Sequence, residues 1–170
     1  MVGSGAKLSP EEIQEVRALL LLKEATGLGD RGIRKLVDSF ESGSRALRAQ
    51  GHQGDLLKPA PEAAPVSAWL KEGIGLLPMT SPMYPATLSE LTDPPPVLFW
   101  KGRYELLTGP AVAIVGSRRA TEGGRRVAET LGRTLAGGGV TVVSGMALGI
   151  DGAAHRGALQ AGGNTCLLYT

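Results

Sequence analysis

Along the first fifty residues the apolar positions recur at helical spacing and are broken by glycines. Ser9-Pro10-Glu11-Glu12 predicts a helix start: Ser9 caps, Pro10 suits the first helical position, and Glu12 stands where a capping box needs it. Ile13, Val16, Leu19 and Leu20 then line one face, and Gly27 ends the helix. Asp30 caps a second helix with Ile33, Leu36, Val37 and Phe40 on one side, and Gly43-Ser44 opens a third, shorter one closed by Gly51. Residues 52–65 hold Pro59, Pro61 and Pro65 among small residues without apolar periodicity, and read as a linker. Val66 to Glu72 predicts a short helix, and the texture then turns extended as far as Val97-Leu98-Phe99-Trp100, which three prolines lead in as an edge strand.

From Ala111 the pattern changes again. Ala111-Val112-Ala113-Ile114-Val115 is a short apolar run, read as a parallel strand buried on both faces. A polar turn, a helix from about Gly124 to Gly137, a strand Val140–Val143, a loop of small residues, a helix Gly152–Gly162 and a strand Asn164–Leu168 follow. Strand, turn, helix, strand, turn, helix is the α/β pattern of a Rossmann-like, doubly wound parallel sheet. A complete sheet of that kind needs further strands and covering helices, so the chain is expected to be a fragment, incomplete at its C-terminal side.

Bulk properties narrow the picture only modestly. The 170 residues suit one large domain or two small ones, and 42% apolar with 20% charged content is ordinary for a globular chain. A net charge of +2 means that any anion binding must come from local clustering. Cys166 is the only cysteine, which excludes an intrachain disulfide. Apolar runs such as Ala18 to Leu22 are too short to span a membrane, and Met1-Val2-Gly3-Ser4-Gly5 lacks the pattern of a secretory signal. A cytoplasmic protein is the default expectation.

The chemistry is concentrated where the two central strands end. Gly116, Ser117, Arg118 and Arg119 follow the first, and Ser144, Gly145 and Gly149 lie in the loop after the second. In open α/β sheets ligands bind outside the carboxyl ends of the strands. Glycines let a ligand approach the backbone, helix N-termini offer unpaired N–H groups, and guanidinium groups match phosphate in a bidentate fork. These seven residues predict phosphate recognition, not bond breaking. Neither Ser117 nor Ser144 stands in a G-x-S-x-G elbow, and no histidine is placed as a base. His155 follows Asp151 by four residues, a spacing that predicts a structural pair fixing the loop. His52, His155 and Cys166 are too dispersed for a metal site, and no cofactor is expected. Arg125, Arg126 and Arg133 read as a solvated helix face.

Gly27-Leu28-Gly29-Asp30-Arg31-Gly32 formally matches G-x-G-x-x-G, but a predicted helix precedes it where the dinucleotide fingerprint needs a strand. Residues 1–51 are similar instead to a small all-α SAM-like or helix-hairpin-helix module, followed by the linker 52–65 and a partial Rossmann-like domain over 66–170.

The ordered set of motifs from Tyr84 to Thr165 resembles the DNA-processing protein A family (DprA, also called Smf). It comprises Tyr84-Pro85-x-x-Leu88, Asp93-Pro94-Pro95-Pro96-Val97-Leu98-Phe99, Lys101-Gly102, Ala113-Ile114-Val115-Gly116-Ser117-Arg118, Val143 to Asp151, Ala154-His155 and Ala158-Leu159 with Gly162-Gly163. The resemblance implies an extended Rossmann fold, binding of single-stranded DNA, loading of the recombinase RecA during natural transformation, and a homodimer. It also implies that Gly116, Ser117 and Arg118 form part of the DNA pocket, with Ser144 to Asp151 beside it. Two features depart from the family pattern. Gly123 stands where members usually carry an aromatic before the first helix, and the later Arg-Asn-Arg segment does not occur. A competing reading on the same scaffold is a nucleoside-monophosphate phosphoribohydrolase, whose Pro-Gly-Gly-x-Gly-Thr-x-x-Glu motif is expected only beyond the last residue of this sequence.

Overall fold

The computed structural model describes residues 8–51 and 65–168. The expected linker therefore lies, apart from Pro65, outside the described residues. Two compact units are present, Met1–Tyr104 and Glu105–Thr170.

The first unit begins with helices α1 (Pro10–Thr26), α2 (Asp30–Phe40) and α3 (Gly43–Ala49). The capping box forms as the sequence predicts: Glu12 N donates to Ser9 Oγ at 3.2 Å and Ser9 N donates to Glu12 Oε2 at 3.0 Å. Gly27 closes α1 in the left-handed conformation at φ 63°, where a side chain is disfavoured. Lys23 Nζ meets Asp30 Oδ1 at 2.5 Å across the turn. Helix α4 (Val66–Lys71) leads into strand β1 (Gly75–Pro78), and after the short α5 (Ala86–Ser89) strand β2 (Val97–Trp100) pairs antiparallel with β1.

The sequence reading grouped residues from 66 onward with the Rossmann-like part, whereas by packing α4, β1 and β2 belong with the helices. Val66, Leu76 and Val97 share one core with Val16, Leu19, Leu22, Ile33 and Leu47. Two carboxylates of α1 reinforce this grouping. Glu12 Oε1 accepts from Ser81 Oγ at 2.8 Å, just past β1. Glu15 is buried at 9% exposure and accepts from Gly43 N at 2.5 Å, Ser44 N at 3.1 Å and Ser44 Oγ at 2.9 Å. It supplies the acceptor that the first N–H groups of α3 lack within their own helix.

The second unit is β3 (Ala111–Ala113), α6 (Glu122–Gly137), β4 (Thr141–Ser144), α7 (Ile150–Gln160) and β5 (Thr165–Leu167). The strands are parallel in the order β3-β4-β5, with Val112 opposite Val142 and Val142 opposite Thr165. This is the α/β, Rossmann-like alternation expected. Residues of α6 and α7 share one core with Val142 and Ile114, which places both helices on the same face of the sheet. They touch backbone to backbone at two glycines. A Cβ on Gly157 would lie 2.9 Å from Arg133 N, and one on Gly132 would lie 3.1 Å from Ala154 C.

One expectation is corrected here. The apolar run predicts a strand buried on both faces, but Ala111 to Ala113 are all exposed, as is Val115 at 73%. β3 is one of the two edge strands of the three, and the unit's described helices cover a single face. The β-branched run marks a strand with the apolarity of a two-sided interior, of which the described residues of this unit supply one side.

Candidate nucleic-acid interface

The ends of β3 and β4 lie side by side, so the two loops the sequence singled out meet. Ile150 N donates to Ser117 O at 3.3 Å, and Gly116 N donates to Asp151 Oδ1 at 3.3 Å. Asp151, 7% exposed, is thereby the carboxylate that ties the first loop to the start of α7. Three glycines make this approach sterically possible. A Cβ on Gly116 would stand 2.7 Å from Ile150 Cγ1, and one on Gly145 would stand 2.9 Å from Asp151 Oδ2. Gly149, at φ 91° and ψ −123°, lies against the Ser117 and Arg118 carbonyls; its Cβ would be 2.8 Å from Arg118 O and closer still to Ser117 O. Only glycine occupies that backbone region freely.

Ser117 is exposed, and its Oγ accepts from Arg119 N at 3.1 Å, which folds the Gly116–Arg119 turn on itself. Arg118 and Arg119 are exposed, and their side chains make no hydrogen bond or ion pair among the described residues. Their neighbours differ. Arg125 Nη1 donates to Ala120 O at 2.8 Å, Arg126 pairs with Glu122, and Arg133 Nη2 donates to Gln160 Oε1 at 2.6 Å. The solvated-face reading of α6 thus describes Arg126 and Arg133, while the turn keeps two uncommitted guanidinium groups. Thr121 caps α6 by accepting from Gly124 N at 3.1 Å, so the helix starts at Glu122, two residues earlier than the glycine pair suggested.

Ser144, one of the seven predicted site residues, does not face the crevice. It is 2% exposed and donates its hydroxyl to Ile114 O at 2.6 Å, locking the end of β4 to the end of the β3 segment. Gly145 and Gly149 serve through their lack of a side chain.

The expected Asp151–His155 pair is replaced by two separate anchors. His155 Nε2 stands 2.9 Å from Gly145 O and Nδ1 stands 2.7 Å from Thr165 Oγ1. A carbonyl oxygen only accepts, so Nε2 carries a hydrogen. The Thr165 hydroxyl itself donates to Val142 O at 2.8 Å, so the other side of the ring is held through Thr165 to β4. Sequence spacing pointed to the right two residues for fixing the loop but to the wrong partners, because it carries no information about β5.

The site thus offers two loops tied to each other through Ser117, Gly116 and Asp151, with exposed guanidinium groups on the first. Residues 75–168, more than half of the chain, match the sequence profile described as DNA recombination-mediator protein A. The chain belongs to that family. Relatives named DNA processing protein DprA are 40% identical over 101 residues in Bacillus subtilis (59% of this chain, 34% of that protein) and 48% identical over 82 residues in Streptococcus pneumoniae (48% and 29%). Protein Smf of Escherichia coli is 43% identical over 96 residues, 56% of this chain and 26% of that protein. The chain therefore spans about a third or less of the length of these curated relatives. The X-ray structure of DprA from Streptococcus pneumoniae superposes on 91% of this chain and 51% of its own, with a TM-score of 0.54 and 29% sequence identity. The family match over residues 75–168 includes the glycine-lined loops. No described helix is long and apolar enough to cross a membrane.

Proposed function

We propose that this chain carries a non-enzymatic binding site for single-stranded DNA, gripped by its sugar–phosphate backbone at the Gly116–Arg119 turn. In the whole protein this site serves delivery of the strand to the recombinase RecA during natural transformation, by a cytoplasmic homodimer. The observation that carries the reading is the pair of exposed, unpaired guanidinium groups of Arg118 and Arg119, held at the carboxyl end of a parallel strand by a loop packed from behind. The family's description as a recombination mediator supports the DNA and recombinase assignments.

The physical logic is electrostatic. Each phosphate neutralised on a single strand releases counterions, giving a slope of about −0.7 in log K against log salt. Two arginines predict a slope of about −1.4, or roughly sevenfold weaker binding between 50 and 200 mM salt. Titrating a fluorescent oligothymidine into the chain at two salt concentrations, with Arg118→Ala beside it, tests the assignment. The variant binds more weakly and with a shallower slope; equal affinity and slope would remove the turn from the interface. Co-precipitation of the full-length protein with RecA tests the recombinase partner, and its absence at micromolar concentrations would overturn that part alone.

A further inference from the structure

The loop between β4 and α7 is anchored at both ends, yet it holds two of the most exposed large apolar side chains among the described residues. Met146 is 77% exposed and Leu148 is 82% exposed. The anchoring is extensive. Ser144 is pinned to Ile114 O, Gly145 O is met by His155 Nε2, Gly152 N donates to Ala147 O at 3.2 Å, and Gly149 is wedged against the Ser117 and Arg118 carbonyls. The two apolar tips are therefore presented by a fixed backbone. Leu148 is one residue from Gly149, which lies against the backbone of Arg118. The loop that carries the apolar tips thus packs, backbone to backbone, against the turn that carries Arg118.

Resting on the phosphate-gripping reading above, we propose that Met146 and Leu148 form a ledge that the faces of unpaired bases rest on. A single strand presents just this alternation, an anionic backbone beside apolar, polarisable base faces. A duplex keeps those faces stacked inside. The ledge makes the site selective for single strands: Arg118 holds a phosphate, and the adjoining bases cover side chains that otherwise stand in water. Apolar contact with a base face has no hydrogen-bond direction, so the ledge tolerates any sequence. A thioether suits this role because it is flexible and polarisable against aromatic rings.

The test separates bases from backbone. Binding of a short oligothymidine is compared with that of an abasic strand of equal length and charge, for the unaltered chain, for the double variant Met146→Ser with Leu148→Ser, and for Arg118→Ala. Both altered side chains of the double variant are solvent-exposed, so it keeps the fold, and its thermal unfolding is compared with the parent. The double variant is expected to lose five- to tenfold in affinity for oligothymidine and nothing for the abasic strand. Arg118→Ala loses affinity for both. Equal losses of the double variant on the two ligands, or no loss on either, would overturn the ledge. A change of mass in sedimentation, with both ligands affected alike, would overturn it too by assigning the tips to a second copy of the chain. Loss on oligothymidine alone for the double variant, with Arg118→Ala neutral on both strands, would keep the ledge and refute the phosphate grip.

Discussion

Replacing Gly149 with alanine removes no polar group, yet it is expected to disable the site. At φ 91° and ψ −123° the added Cβ meets strain of about 1–3 kcal/mol from the backbone conformation alone. It also stands 2.8 Å from Arg118 O and nearer to Ser117 O, two backbone atoms that no rotamer change can move aside. Relief requires the Gly116–Arg119 turn to swing away, which breaks the 3.3 Å bond from Ile150 N to Ser117 O, a further loss of about 1 kcal/mol. The sum is about 2–4 kcal/mol in urea unfolding, and we expect tenfold or greater loss of oligonucleotide affinity as Arg118 leaves its position. Gly139 provides the control. It has a similar φ of 81°, but a Cβ there meets nothing within 4 Å. Gly139→Ala should therefore show the strain alone, about 1–2 kcal/mol, with unchanged binding. If the two substitutions cost the same and bind alike, the contact between the loops has no role in shaping the site.

Three further outcomes follow from other contacts. Glu15→Ala strips the buried acceptor from Gly43 N and Ser44, so it should lower the stability of the first unit by about 2–4 kcal/mol in chemical denaturation, whereas Glu24→Ala, on an exposed position of the same helix, should change it by less than about 0.5 kcal/mol. Tyr84, 7% exposed with its hydroxyl donated to Pro95 O at 2.8 Å, has its pKa pushed up to about 12, by burial first and by Asp30 second. Because the unfolded phenol ionises near 10 while the folded one stays neutral, stability present below pH 10 is lost as pH rises towards 12; Tyr84→Phe should flatten that alkaline limb in a pH series of thermal melts. Ser144→Ala removes a buried hydroxyl donor to Ile114 O and should cost about 1 kcal/mol while leaving the salt slope of DNA binding unchanged.

What the sequence made legible was local. The capping box of Ser9 and Glu12, the left-handed stop at Gly27 and the strand-turn-helix alternation after Ala111 are each written within a few residues, and each forms. The two loops flanking the crevice were legible because small residues after an apolar run admit close approach. Features that depend on distant partners were not. Nothing in the sequence near Glu15 announces that α3 will point its N-terminus there. Ser144 and His155 face atoms of Ile114 and Thr165, which only the sheet register brings to them. The grouping of β1 and β2 with the helices rests on Leu76 and Val97 entering a core begun by Val16 and Leu19, a long-range match that the proline-rich segment between them disguises.

A guanidinium at the end of β3 acting on phosphate is read directly by the salt dependence of single-strand binding. With oligothymidine titrated across a series from 50 to 200 mM salt, Arg118→Ala should reduce the slope of log K against log salt by about 0.7, the share of one phosphate contact. A slope identical to that of the unaltered chain would contradict it.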